Sequence, residues 1–295
     1  MSGKMKLLTL LGNYPNTLPI KQGNVASDLL EFEFADFKLA HEGFKLLVRE
    51  ARFDLGELAI VTFLQAKAYG KPYVLMPALV VARSQHHTLV YNPERGELTP
   101  GSLAGKRVGV RAYSVTTGVW VRGILKEQYG LDLDKVHWVT FEDPHVAEYA
   151  DPATVERATG DKDMTRMLLD GDLDAAVVGD KLPDPRLRIL IPDSEKAAAA
   201  WREKHGSPIN HMLVIRSELS RARPDVVREV FRIFKESRDM AVRDGNKNAA
   251  DLQFGLEANR LALEAIIDIA FDQKLIPRRY SVDELFDDTT RGLEI

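Results

Sequence analysis

The chain has no cysteine among its 295 residues. Thiolate catalysis, iron–sulfur clusters and cysteine-ligated zinc are thereby excluded, and no disulfide ties the fold to an oxidising compartment. A strong charge of one sign is missing too, since 40 basic residues against 44 acidic ones leave a net charge of −4. With no basic stripe in view, neither nucleic acid nor an anionic membrane surface is an expected partner. Long apolar runs are also lacking. The nearest is residues 7–11 behind Lys4 and Lys6, which Asn13 and Pro15 end well short of a secretory signal. Nothing later is long enough to span a bilayer, so membrane insertion is not expected. With Met1 as the native start the protein is expected in the cytoplasm; a longer precursor bearing a signal peptide would place it in the periplasm.

What remains has the balance of an ordinary globular protein, 45% hydrophobic and 28% charged. Short apolar runs alternate with amphipathic stretches. Strands are expected at 6–11, 30–34, 58–61 and 73–79, with a helix over 40–51. The rhythm recurs with a strand at 106–110, a polar loop at 112–117 and a helix over 118–129. Strands at 136–139, 174–178 and 187–191 follow, with helices over 164–169 and 195–205 and a Pro- and Asp-rich excursion at 142–161. Strand–helix–strand alternation means parallel pairing with right-handed crossovers. Strands at 87–91 and 212–215 frame this middle section. Beyond them the chain turns helical, with one apolar stripe of Val227, Phe231, Phe234 and Ala241 and another of Leu261, Ala265, Ile266, Ile269 and Ala270. The expected fold is therefore α/β, two Rossmann-like lobes joined by two crossing strands. Residues 1–90 and 213–295 form one lobe and 91–212 the other.

Candidate chemistry starts with the loop before residue 118. Tyr113, Ser114, Thr116 and Thr117 set hydroxyls and free N–H groups at a helix N-terminus, which favours an anion. The alternative is that Ser114 or Thr116 only caps the helix. The stretch 101–106 is one residue short of a phosphate loop and has Arg107 where Ser or Thr is required, so a nucleotide is not expected. Within the helix Arg122 is placed to meet a carboxylate bidentately, or else to lie solvated or salt-bridged. His86 and His87, adjacent in an expected strand, should face opposite ways. His211 begins the other crossing strand. No histidine spacing matches a metal site. Glu57, just ahead of an apolar run, is either a desolvated acid–base group or a surface glutamate, and Asp180 after Gly179 has the same two readings.

Several segments together resemble the 4,5-dihydroxyphthalate decarboxylase family. They are Phe53-Asp54-x-x-Glu57, Leu103-x-Gly105-Lys106-Arg107-Val108-Gly109-Val110 and Tyr113-x-x-Thr116-x-x-Val119-Trp120-x-Arg122-Gly123-x-Leu125. To these are added Met167-Leu168-x-x-Gly171-x-x-Asp174-Ala175 and His211-x-x-Val214-Ile215-Arg216. The resemblance runs from about Leu7 to about Ala241, and its Trp-x-Arg-Gly stretch is its most specific part. It implies the fold of type II periplasmic binding proteins, in agreement with the layout above. Two segments depart from it. Asn13-Tyr14-Pro15-Asn16-Thr17 stands where the family has Asp-Tyr-Asp-Arg-Thr, and Gln85-His86-His87 where it has Arg-His-Ser.

The resemblance implies removal of CO₂ from a hydroxylated aromatic acid, with a ring hydroxyl supplying electrons so that no metal or other cofactor is needed. His86 or His211 would donate the proton, with Glu57 as partner or as a contact to ring hydroxyls. Ser114, Thr116 and Thr117 would hold the carboxylate with Arg122 assisting, and Tyr14, Gly179 and Asp180 complete the substrate-binding set. The expected partner is a small aromatic or aliphatic carboxylate, with a homo-oligomer as a further expectation. A solute-binding protein serving a transporter or sensor needs the same cleft and no acid. A different lyase or a pyrimidine-precursor pathway protein on this fold is the third reading.

Overall fold

The computed structural model describes residues 3–294; Met1, on which the cytoplasmic expectation turned, lies outside them. The chain divides into two compact units. The first comprises the residues up to Arg83, Ile209–Phe271 and those from Ile276 onward. The second comprises Ser84–Pro208 and Asp272–Leu275.

The first unit is built on a five-stranded mixed sheet. Its strands are β1 (Met5–Leu10), β2 (Leu30–Phe34), β3 (Leu55–Ala59), β4 (Tyr73–Ala82) and β11 (Ile209–Arg216), in the order β2-β1-β3-β11-β4. β1 pairs in parallel with β2 and β3, whereas β11 runs antiparallel to β3 and β4. Every residue of β3 is buried, as expected of a central strand covered on both faces. Leu7, Leu55, Leu213 and Ile215 join Val226, Val230 and Phe234 of the helix Pro224–Arg243 in one core. That helix starts with proline, whose missing N–H costs nothing in the first turn. Its stripe of Val227, Phe231, Phe234 and Ala241 is buried. The helix Leu256–Asp272 differs from expectation: Leu261 is 59% exposed, and Ala262, Leu263, Ile266, Ile267 and Ala270 make the buried face. Apolar residues lie on several sides of this helix, so periodicity alone does not single out the packed one.

The second unit carries a six-stranded mixed sheet. Its strands are β5 (Leu89–Tyr91), β6 (Arg107–Val110), β7 (His137–Thr140), β8 (Glu156–Arg157), β9 (Ala175–Val177) and β10 (Arg188–Ile189), ordered β10-β5-β9-β6-β7-β8. Neighbours from β9 through β8 pair in parallel, and β5 runs antiparallel to β9 and β10. Val90, Val139, Leu168, Leu173 and Ala176 form its core.

The unit edges differ from the division at residues 90 and 213. Residues 84–90 fall in the second unit because β5 pairs within the second sheet. Residues 209–212 fall in the first because β11 is one continuous strand of the first sheet. No helix of the described residues is long and apolar enough to cross a membrane.

Candidate active site

In the first unit the chain leaves β1 and makes a tight loop over residues 11–17. The Thr17 hydroxyl donates to the Gly12 carbonyl at 2.8 Å and accepts the Tyr14 amide at 2.9 Å. Lys21 Nζ donates to the Leu11 carbonyl and to Asn13 Oδ1, each at 2.7 Å. Held in this way, the loop aims two donors at one oxygen of Glu57. The Gly12 N–H reaches Oε1 at 2.9 Å and the Tyr14 hydroxyl reaches it at 3.1 Å. Glycine at position 12 leaves room for the Tyr14 ring: a Cβ there would lie 2.7 Å from it, so the ring would have to shift.

Glu57 is 0% exposed. Its third partner comes from β11. In the antiparallel register Glu57 lies opposite Leu213, and His211 opposite Ala59, so Glu57 and His211 are diagonal neighbours on one face of the sheet. His211 Nδ1 stands 3.3 Å from Glu57 Oε2, and the imidazole side chain is 20% exposed. Phe44 meets the ring edge-on at 5.2 Å. A buried carboxylate is stable only when its oxygens are hydrogen-bonded, and here an amide, a phenol and an imidazole do this. An ionised carboxylate only accepts, so Nδ1 carries a proton, and Nε2 has no partner among the described residues. Burial, with Glu57 next, pushes the Tyr14 hydroxyl well above the usual tyrosine range, while the Arg83 charge pulls the other way. The phenol is therefore a donor at any working pH. Burial also draws the Lys21 ammonium below its ordinary value, against the pull of Glu57 and Asp36.

In the second unit β6 runs through residues 111–115 into the helix Thr116–Tyr129. The residue at the N-cap is Val115, whose side chain makes no capping bond, so neither Ser114 nor Thr116 is the cap. Ser114 and Thr116 are buried and Thr117 half-buried. The helix packs closely on β6, since a Cβ at Gly118 would lie 2.7 Å from Val110.

Arg122 is neither solvated nor salt-bridged. It is 0% exposed, and it donates from Nε to Gln273 Oε1 at 2.6 Å and from Nη2 to the Tyr113 carbonyl at 2.5 Å. Its guanidinium lies 4.0 Å from the Tyr113 ring centre and 5.1 Å from that of Trp138. Nη1 has no partner among the described residues. Burial lowers its pKa, and the charges of Tyr113, Tyr149 and Asp151 oppose that. The side chain props up the loop ahead of the helix from beneath.

His86 and His87 occupy a 3₁₀ turn, His86–Thr88, rather than a strand. The Thr88 amide and hydroxyl both return to the Gln85 carbonyl, at 3.0 and 2.7 Å, and curl the chain before β5. His86 is 0% exposed, with Nε2 at 2.9 Å from Gln128 Oε1 and Nδ1 at 3.3 Å from Ser84 Oγ. Gln128 gives its Nε2 hydrogen to the Ala197 carbonyl, so its oxygen faces His86 and the imidazole donates from Nε2. Burial lowers the His86 pKa below 6.5; the Gln128 bond opposes this and the His87 charge adds to it.

The unfolded chain binds the His86 proton more readily than the folded one, so stability is lost as pH falls below about 6.5 toward the folded value. The urea midpoint is expected to drop between pH 7.5 and pH 5, with His86→Asn flattening the slope by up to about 1.4 kcal/mol per pH unit. An unchanged slope would refute a buried neutral ring.

His87 pairs with Asp180 at 3.3 Å on the surface, and Gly179 is exposed with open space around its Cα. The structure thus brings together Tyr14, Glu57 and His211 in the first unit. In the second it gathers Ser114, Thr116, Thr117 and Arg122 along one segment, and it places His86 in a separate hydrogen-bonded network. Among the described residues no cluster of three His, Asp or Glu could hold a metal ion. Sequence reasoning missed the Gly12 amide, Lys21 and Arg83. The signal for the first was a glycine two residues before a tyrosine, just past a strand end.

No family model matches the chain. In fold it is similar to the alkanesulfonate-binding protein SsuA of Xanthomonas axonopodis pv. citri, with a TM-score of 0.60 and 14% identity over 97% of this chain and 98% of that one. The desulfurization enzyme DSZB shares the fold at a TM-score of 0.54 and 14% identity, over 98% of both chains. By sequence the chain is 30% identical to the 4,5-dihydroxyphthalate decarboxylase of Pseudomonas putida over 212 residues, 67% of this chain and 81% of that protein. It is also 30% identical to the protein of that name from Comamonas testosteroni over 254 residues, 81% of this chain and 76% of the relative. At that identity and coverage, on a shared α/β fold, the chain belongs to the 4,5-dihydroxyphthalate decarboxylase family.

Proposed function

We propose that this protein removes CO₂ from a hydroxylated aromatic carboxylic acid of the 4,5-dihydroxyphthalate type, with His211 as the proton donor. The observation that carries this is the Glu57–His211 pair: Nδ1 is tied to a fully buried carboxylate and Nε2 has no protein partner among the described residues. In such a reaction a ring hydroxyl supplies electrons and the ring carbon that bears the carboxylate takes the proton from His211 Nε2, leaving the imidazole neutral and Nδ1–H still bonded to Glu57. The carbon–carboxylate bond then breaks, CO₂ leaves, and the electron pair of that bond restores the aromatic ring. Glu57 stabilises the imidazolium before transfer and orients the ring throughout. His211 is favoured over His86 because both His86 nitrogens are already engaged within the fold. The chemistry needs an electron-rich ring and a positioned acid, which is why no cofactor is invoked.

A second reading is favoured by one observation, the uncapped N-terminus of the helix Thr116–Tyr129. Its N-terminal N–H groups and dipole suit a carboxylate, as a solute-binding protein would require. The two readings part on turnover. The wild-type protein is expected to release CO₂ from 4,5-dihydroxyphthalate. His211→Asn should cut kcat by about 10²–10⁴, while the ligand still raises the melting temperature. A variant as fast as wild type would remove His211 from the chemistry, and a thermal shift with no CO₂ from the wild type would leave a binding protein.

A further inference from the structure

Glu57 has two oxygens and three donors, and the donors are divided unequally. Gly12 N–H and Tyr14 O–H both go to Oε1, and among the described residues only His211 faces Oε2. We infer that Tyr14 is a positioning residue, which with the Gly12 amide pins Glu57 so that His211 is held as the Nδ1–H tautomer with Nε2 open. The inference rests on His211 being the proton carrier of the reaction proposed above, and it changes the part expected of Tyr14. A phenol whose proton is committed to a buried carboxylate holds the machinery and does not grip the substrate with that proton.

Three features support it. First, the tyrosine ring is seated against the backbone of residue 12, where a Cβ would come within 2.7 Å of the ring and displace it from Glu57. The pairing of Gly12 with Tyr14 is therefore steric as well as hydrogen-bonded. Second, the loop that carries both donors is fastened independently by Thr17 and Lys21, so the donors arrive in place before any ligand does. Third, the loop and Glu57 meet across the strand order: β1 lies beside β3 with Leu10 opposite Gly56, which brings the loop that follows Leu10 to Glu57. Three donors also hold the carboxylate plane in place, because turning the group out of that plane would lengthen the bonds on both oxygens at once. A carboxylate that cannot turn offers a single lone-pair direction to the imidazole, and that selects which ring nitrogen bears hydrogen. The charged groups around the assembly are Lys21, Arg83 and Asp36.

Nitrogen NMR of ¹⁵N-histidine-labelled protein tests this, at a pH where His211 is neutral and with a His211→Asn sample to assign the signal. In the wild type the Nδ1–H form should exceed the Nε2–H form by at least about tenfold, the equivalent of one hydrogen bond to a charged group. Tyr14→Phe should cut that ratio by about threefold or more and kcat by about tenfold, with KM changed less than about twofold. Gly12→Ala, which displaces the same ring, should shift the ratio in the same direction. A wild-type ring mainly in the Nε2–H form overturns the inference, and this needs no variant to fold. So does a ratio that Tyr14→Phe leaves unchanged. The tautomer ratio is read without turnover. A fixed tautomer that Tyr14→Phe loosens, in a protein that releases no CO₂, keeps the positioning role and removes only the decarboxylase reading.

Discussion

Glu57→Gln is expected to lower kcat by about 10⁴, the loss seen when the acid of a Ser-His-Asp triad becomes an amide and leaves its histidine in the wrong tautomer. The reason lies in the donors already on Oε1. The Gly12 amide and the Tyr14 hydroxyl both need an acceptor there, so the glutamine carbonyl takes that side and its NH₂ turns to His211. Facing a donor, Nδ1 must accept, and the single ring proton moves to Nε2. The ring can then gain a second proton only by setting N–H against N–H, and the imidazolium is lost. Volume and burial are unchanged, so the variant should fold. Steady-state kinetics of CO₂ release with a circular dichroism check suffices. A variant that keeps more than about a tenth of wild-type kcat would show that the pair is structural only.

Arg122→Ala is expected to cost about 3–5 kcal/mol of stability, read from the urea midpoint at constant m-value. The alanine leaves a cavity beside Tyr113 and Trp138 and strands Gln273 Oε1 and the Tyr113 carbonyl without their donor. Arg122→Met fills most of the space and removes the buried charge, so it should cost about half as much or less. The contrast between the two distinguishes a buried strut from a surface arginine. A loss below about 1 kcal/mol for the alanine variant would mean the guanidinium is solvated. Any weakening of ligand binding by either variant should then follow the loop at Tyr113 that the side chain supports.

Where hydrophobic pattern and turn residues agree, the chain was legible. Strand β2 lies at Leu30–Phe34 as expected, and β6, β7 and the helix Met164–Asp170 sit within a residue or so of their expected places. Residues 58–61 misled because they straddle the end of β3 and the start of the helix Ile60–Ala68, all of it buried. A segment covered on every side has no polar face to mark its period. His86 and His87 read as strand because a 3₁₀ turn held by Gln85 and Thr88 has no apolar signature. In the candidate site, Glu57 and His211 drew notice separately, by their place beside apolar runs and by family resemblance. They stand 154 residues apart, and only the β3–β11 register makes them diagonal neighbours. The role of Tyr14 was hidden for the same reason: a hydroxyl's acceptor on a distant strand leaves no local trace.

The short stretch Asp272–Leu275 belongs to the second unit although both its flanks belong to the first. Through Gln273 it supplies the acceptor for Arg122 Nε and a donor to the Val119 carbonyl at 2.9 Å. The second unit is consequently not a single cuttable length of chain. A fragment trimmed to 84–208 would begin life without the amide that closes around its most buried cation. Dissection, permutation and split-reporter designs have to carry those residues along.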